Sequence, residues 1–359
     1  MISLSKFKKS QYEGELEKNK KKVGNLLLPK EVEKLLLAPR KVGKFVPDEY
    51  DVEMCDIIKD WREVSDADIA LVGVPFDTGV MIRRGCRFGP DGVRNALVFS
   101  TSYEPSLNID LSTDFKIADF GDIDVMHTDV LETHKRIEKV ITGIYKLGVV
   151  PLIIGGDHSI AYPDIKSLIN SVEGNIGVIM IDAHLDVRKS HHGEISSGTP
   201  FRRLMEESER PLRPENLVEI GINGWHNSKY YMDYCKEKGV TVITAREVHK
   251  QGIENVVSRA LDIASNNTKA IFLSFDIDGL DFAAAPGTCA PNPGGLTSYQ
   301  ALEAVWLIGQ HPLSRGMDIV EVAPPLDNKD LTSLMGAALV MQYFGATKKR
   351  LEKDKKGAI

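Results

Sequence analysis

The sequence predicts an α/β fold, a mostly parallel central sheet of about eight strands covered on both faces by helices. Three observations carry this. Short apolar, β-branched runs such as Ile176-Gly177-Val178-Ile179-Met180-Ile181 read as strands buried on both sides. Amphipathic helical patterns alternate with those runs, which is the pattern of crossover connections between parallel strands. Several runs also end in Asp and His, and in such sheets ligands bind at the carboxyl ends of strands.

Residues 1–65 differ from the rest and read as an N-terminal extension. Lys18 to Lys22 is a basic run, and leucine triplets at 26–28 and 35–37 surround Pro29. A short helix is expected over Pro29 to Leu37, then an extended stretch through Val46-Pro47. The leucines favour docking on the main domain or on a neighbouring subunit. Strands are expected at about 68–74, 116–120, 149–155, 175–182, 217–222, 240–244, 270–276 and 317–322. Helices are expected over about 128–147, 159–171, 227–238, 251–265, 298–309 and 329–346. The first is the clearest, with Ile137, Val140, Ile141, Ile144 and Tyr145 at helical spacing and Gly148 as its stop. Nothing repetitive or low in complexity interrupts this part, so 66–347 reads as one catalytic domain. Residues 348–359 read as a solvated, charged tail.

Bulk properties narrow the function. The chain has 359 residues, 42% hydrophobic and 27% charged, ordinary for a globular protein. A net charge of −6 argues against nucleic-acid or anionic-membrane binding. No apolar run approaches membrane-spanning length, and the first residues lack a signal-peptide core. Four scattered cysteines, Cys55, Cys86, Cys235 and Cys289, suggest reduced thiols in a cytoplasmic protein.

The chemistry-bearing residues gather at strand ends. Asp182-Ala183-His184-Leu185-Asp186 follows one strand, Asp276-Ile277-Asp278 a second, and Gly155-Gly156-Asp157-His158 a third. Alternation along an extended chain would point residues 182, 184 and 186 the same way. Carboxylates packed this closely repel one another, and two divalent cations would remove that cost. Oxygen-rich ligation with two imidazoles and no thiolate suits Mn²⁺ better than structural zinc. Asp157 reads as a supporting or helix-capping residue. A metal pair about 3.5 Å apart would hold a bridging water and lower its pKa toward neutrality. Glu321, ending the strand Met317-Asp318-Ile319-Val320-Glu321, is placed to bind a cationic amidine or guanidine.

From about Asp66 to Gly345 the chain resembles the ureohydrolase family of arginases, agmatinases and formimidoylglutamases. The matching motifs are Gly73-Val74-Pro75-Phe76-Asp77, Arg84-Gly85-Cys86-Arg87-Phe88-Gly89-Pro90, Asp119-Phe120-Gly121-Asp122, Gly155-Gly156-Asp157-His158-Ser159, Asp182-Ala183-His184-Leu185-Asp186, Ser274-Phe275-Asp276-Ile277-Asp278 with Ala285-Pro286-Gly287, and Asp318-Ile319-Val320-Glu321. The resemblance implies a three-layer α-β-α sandwich and two Mn²⁺ per chain, with Ni²⁺ as the other candidate. It further implies that His158 and Asp186 bind one metal, His184 and Asp278 the other, and that Asp182 and Asp276 bridge. Glu321 would face the substrate's amidine, and Asp186 or Asp278 would relay a proton to the leaving nitrogen. A trimer or hexamer is suggested on the same ground.

The departures bear on the substrate. Arginases and agmatinases carry a His-Gly pair where this chain has Ser197-Gly198, within Ser196-Ser197-Gly198-Thr199-Pro200-Phe201-Arg202. That stretch, Asp186-Val187-Arg188, and Gly221-Ile222-Asn223 with Asn227-Ser228 are similar to formimidoylglutamases, whereas residues 73–93 look more like agmatinase. Formimidoylglutamate, hydrolysed to glutamate and formamide, is therefore the leading substrate. Its two carboxylates would suit arginine clamps, with Arg188, Arg202 and Arg203 as candidates and Ser197 and Asn223 as further contacts. His192, in His191-His192-Gly193, is a candidate displaced proton shuttle. Phe282 and Cys289 replace residues common in the family and border the expected pocket. Agmatine, guanidinobutyrate or a similar compound releasing urea is the alternative. A zinc deacetylase and a catalytically silent partner subunit are weaker ones.

Overall fold

The computed structural model describes residues 26–39, 48, 50–189 and 194–357. Strands form where apolar, β-branched residues alternate between two faces. The strands are β1 (Ile58–Asp60), β2 (Ile69–Gly73), β3 (Tyr103–Glu104), β4 (Ile109–Asp110), β5 (Ile117–Asp122), β6 (Val150–Ile154), β7 (Ile176–Ile181), β8 (Leu217–Ile222), β9 (Thr241–Thr244), β10 (Ala270–Asp276) and β11 (Ser314–Val320). β3 and β4 make a small antiparallel hairpin. The other nine form one parallel sheet in the order β1-β5-β2-β6-β11-β10-β7-β8-β9. In β7, Ile179 and Ile181 enter one core layer while Val178 and Met180 enter the other.

Helices Gly89–Ala96, Ala245–Gln251, Ile253–Ala264, Ser298–Gly309 and Leu331–Gly357 cover the first face. Helices Val130–Lys146, Ala161–Ser171, Pro200–Glu206 and Lys229–Lys238 cover the second. The result is a three-layer α-β-α sandwich. Gly177 shows how closely the layers approach, since a Cβ there would lie 1.9 Å from the Ala264 carbonyl oxygen. Sheet order also positions the site. β6 and β7 are consecutive in the chain but separated by β11 and β10, so these four strands sit side by side with all their carboxyl ends on one edge. That is the topological switch point of the sheet.

Three expectations are corrected. The helix near the N-terminus spans only Lys30–Glu33, because Leu36 pairs with Ile123 and Leu37 N–H donates to Asp122 O at 2.7 Å. Leu26, Leu28 and Val32 are buried in the second core layer. The sheet begins before residue 66, since β1 pairs with β5; its Ile-Lys-Asp sequence has one apolar residue and gives no strand pattern. The C-terminal charges are a solvated stretch only in part: Lys353, Asp354 and Lys355 are exposed, but the first charges are not. Helix Leu331–Gly357 runs through them, with Lys348 and Arg350 buried. Their heads meet carbonyls instead of water: Lys348 Nζ donates to Asp110 O at 2.6 Å and Arg350 to Gly309 O at 2.6 Å. The stretches at Lys18–Lys22 and Val46-Pro47 and His192 lie outside the described residues. No described helix is long and apolar enough to cross a membrane.

Candidate active site

Each central strand delivers one part of the site. After β6 the chain turns at Gly156, where any Cβ would strike the Phe76 carbonyl oxygen, and Asp157 caps the turn that presents His158. After β7, Asp182 is held by its N–H to Ile220 O at 3.0 Å, and its own Oδ1 accepts from His184 N–H at 2.6 Å. β10 ends in Asp276, whose carboxylate accepts from Asp278 N–H at 2.8 Å. β11 runs into Glu321.

The route by which 182, 184 and 186 converge differs from strand alternation. β7 stops at Ile181, the chain bends at 183–184, and Asp186 has φ +44°. Glu321 has φ +65°. Non-glycine residues rarely adopt this left-handed region, and here it turns two carboxylates into the site.

The resulting cluster is buried and tight. His158 Nδ1 lies 3.0 Å from Asp182 Oδ2, 2.9 Å from Asp186 Oδ2 and 3.3 Å from Asp276 Oδ2. His184 Nδ1 lies 3.4 Å from Asp182 Oδ1 and 3.1 Å from Asp278 Oδ2. Two groups of metal-type donors thus form, His158-Asp182-Asp186-Asp276 and Asp182-His184-Asp278; Asp182 belongs to both, whereas Asp276, expected to bridge as well, falls in the first alone. Outward of them, His158 Nε2 meets Ser274 Oγ at 3.0 Å, and Ser274 in turn donates to Asp318 at 2.8 Å. Asn292 Nδ2 is 3.1 Å from His184 Nε2.

These distances fit divalent cations better than hydrogen bonds. One imidazole nitrogen cannot satisfy three carboxylates, and His158 Nδ1 and Asp182 Oδ2 have no hydrogen-bond partner of acceptable geometry although both are fully buried. The electrostatics of the cluster carry the same tension. Burial, then the Asp186 and Asp278 carboxylates, push Asp182 up to about 6. Burial and the same kind of repulsion raise Asp276 well above the carboxylate range. Burial alone would lower His184, but Asp278 and Asp182 carry it up to about 12. A cation between these groups removes both the repulsion and the desolvation penalty.

An open pocket of about 680 Å³ leads to the cluster. Its acidic end is formed by Asp186, Asp276, Asp278 and Glu321, and His184 lies beside them. Burial, then the nearby Asp157 carboxylate, push Glu321 up to about 8. Glu321 Oε1 accepts from His158 N–H at 2.9 Å, while Oε2 has no hydrogen-bond partner. Arg188 and Ser197 line the pocket, and the Arg188 guanidinium lies 5.3 Å from the centre of the Tyr231 ring. Arg202 and Asn223 are not among its lining residues. Arg202 is engaged by Glu206 at 2.9 Å and stacks on Tyr234, and Asn223 turns back onto Gly221 O at 3.2 Å. Arg203 likewise packs over Tyr162 and pairs with Glu207. Sequence reasoning missed His226 and Tyr231 as lining residues. His226 lies in the turn after β8, where the strand-end rule that found the Asp clusters also applies, whereas Tyr231 sits on the helix Lys229–Lys238, which that rule does not reach.

A parallel α/β sheet with a carboxylate-imidazole cluster at its switch point defines a class of proteins built to hold metal ions where such sheets bind their ligands. Residues 67–345 match the Arginase family model. Formimidoylglutamase of Bacillus subtilis is 35% identical over 86% of this chain and 96% of its own, and its crystal structure superposes with a TM-score of 0.81. Guanidinobutyrase of Pseudomonas aeruginosa is 36% identical over 79% of this chain and 87% of its own. The structure of Trypanosoma cruzi formiminoglutamase with Mn²⁺ is 28% identical, with a TM-score of 0.77 over 84% of this chain and 99% of that one. The chain belongs to the arginase family. Its reaction class is hydrolysis of C–N bonds in linear amidines.

Proposed function

We propose that this protein hydrolyses N-formimidoyl-L-glutamate to L-glutamate and formamide, using two Mn²⁺ ions. The observation that carries the substrate is the polarity of the pocket. Its inner end is acidic, and among the described lining residues Arg188 is the one arginine or lysine. An amidinium with an anionic tail matches that order; agmatine, cationic at both ends, does not.

His158 and Asp186 would hold one metal, His184 and Asp278 the other, with Asp182 between them and Asp276 beside the first. When bound, such a pair supplies Lewis-acid charge and a water nucleophilic at neutral pH. The chain's own residues do the rest. Glu321 accepts N–H hydrogen bonds from the amidinium and orients its carbon toward the cluster, a charge-assisted contact strengthened by burial. Arg188 receives a carboxylate of the glutamate moiety, its guanidinium held against the Tyr231 ring. Asp186, at the pocket surface, carries a proton toward the leaving glutamate nitrogen. Val80, Met81 and Ile82 form an apolar wall along the linear chain of the substrate.

Guanidinobutyrate also joins a cationic head to a carboxylate, so hydrolysis of a guanidino acid to urea is the second reading. Incubation of the Mn²⁺-loaded protein with formimidoylglutamate, guanidinobutyrate, agmatine and arginine separates them. Glutamate and formamide from the first compound alone is the expected result. Urea from a guanidino compound, with formimidoylglutamate untouched, would overturn it.

A further inference from the structure

Beside the carboxylate-imidazole cluster lies a second set of donors with softer chemistry. Cys86, Cys289 and Glu321 come from three separate segments, yet one donor atom from each falls within 4.8 Å of the others. All three are buried, at 0%, 3% and 4% exposure.

The segments are tied to one another. Gly85 N–H donates to Asp77 at 3.0 Å and fixes the Cys86 loop. Arg83 donates to Thr288 O at 2.7 Å and to Cys289 O at 3.3 Å, clasping the second loop to the first. Thr288 pairs with Val322, and Ala323 N–H reaches Gly287 O at 2.7 Å, joining that loop to the end of β11. Glu321 keeps Oε1 on the His158 amide, which leaves the buried Oε2 without a hydrogen-bond partner. Such an atom calls for a ligand. The pocket supplies a way in, since Cys289 and Glu321 both line it.

We propose that Cys86, Cys289 and Glu321 form a separate, thiophilic metal site on the pocket floor, which takes a soft divalent cation such as Zn²⁺ or Cd²⁺ and so blocks the amidine-facing carboxylate. Two thiolates and one carboxylate with a fourth position open to the pocket is a donor set that zinc accepts, and thiolates select it over Mn²⁺. Binding forms two metal–sulfur bonds and one metal–oxygen bond, and the two thiol protons, together with the proton on the Glu321 carboxyl, leave to solvent. The thiols are well suited to wait for a metal. Burial holds Cys86 well above the ordinary thiol range. Cys289 gains from its hydrogen bond to Cys86, but burial and the Glu321 charge outweigh that and push it up to about 12. Both are therefore protonated and poorly nucleophilic at neutral pH.

The test titrates Cd²⁺ into the Mn²⁺-loaded, phosphine-reduced protein while following the thiolate-to-metal ultraviolet band. Wild type should show the band saturating at one equivalent per chain. Cys86→Ser and Cys86→Ala should lose it, and Cys235→Ser, which alters a remote buried thiol, should keep it. No band in wild type, or a band that survives both Cys86 substitutions, overturns the proposal. A second arm measures turnover under excess Mn²⁺ with added Zn²⁺. Inhibition should compete with substrate, and Cys86→Ser should raise the inhibitory concentration by more than about 100-fold, the upper end of what losing even a ligand's supporting hydrogen bond costs. This arm rests on the role of Glu321 proposed above, whereas the band does not. A band without competition would overturn that role and leave the metal site standing.

Discussion

At the scale of single residues, the substrate and metal assignments make separable demands. Arg188 is not itself a metal donor, so Arg188→Ala should act on binding. Loss of one charge-assisted contact corresponds to about 1.5–3 kcal/mol, or roughly 10- to 150-fold in kcat/KM. Steady-state kinetics should place this in KM for formimidoylglutamate with kcat nearly unchanged. A fall confined to kcat would remove Arg188 from the pocket's recognition of the tail. Ser274 touches His158 Nε2 at 3.0 Å and is not itself a metal donor. Ser274→Ala should weaken Mn²⁺ affinity by about 10- to 100-fold, read by metal titration, because the hydrogen bond that orients the His158 imidazole ring and fixes its tautomer is gone. Unchanged affinity would mean that packing alone orients the ring.

At the scale of elements, the C-terminal helix Leu331–Gly357 is structural along its charged end as well as its apolar one. Tyr343, Phe344 and Arg350 are all fully enclosed, and Arg350 satisfies the Gly309 carbonyl that ends a neighbouring helix. Arg350→Ala should leave that carbonyl unsatisfied beside a cavity and lower stability by about 3 kcal/mol in denaturant unfolding. A change within error would return this stretch to a mere surface role. The sequence pattern hid this because Lys348-Lys349-Arg350 reads as solvent-exposed, and only packing reveals which carbonyls their heads reach. The helix Gly89–Ala96 was invisible for a related reason. Its Gly-Pro-Asp-Gly start reads as a turn, yet Pro at an early helical position is compatible with a helix, and tertiary contacts supply the remainder.

At the scale of the whole molecule, the site and the fold are coupled through protons and cations. The native cluster gathers charges that repel unless metal is bound, so Mn²⁺ should raise the thermal midpoint. At a free concentration 100 times its Kd, one site adds about 2.7 kcal/mol. Calorimetry with and without a chelator measures this, and an unaltered midpoint would argue that the cluster does not bind the ion in the native state. His134 supplies a pH dependence away from the cluster's carboxylates. Burial, aided by the Arg203 charge, lowers its imidazole from 6.5 to about 3. The unfolded chain therefore takes up the proton first. Stability is fully present above pH about 6.5 and is lost as pH falls toward about 3, by up to a few kcal/mol. His134→Gln should flatten this acid limb, measured by chemical denaturation at several pH values; an identical slope would assign the acid sensitivity to other groups.

The sequence by itself determined the alternation of strands and helices, the parallel sheet, and the identity of the clustered Asp and His residues. These properties are local: apolar periodicity, strand endings and motif spacing need no knowledge of what lies across the fold. The tertiary structure alone decided the rest. Sheet order put β6, β11, β10 and β7 side by side, and left-handed turns at Asp186 and Glu321 aimed two carboxylates inward. It separated Arg188, which lines the pocket, from Arg202 and Arg203, which are spent on Glu206 and Glu207. It also brought Cys86 to Cys289 across 203 positions of sequence. An arginine's partner and a thiol's neighbour are set by long-range packing, which residue type and spacing do not encode.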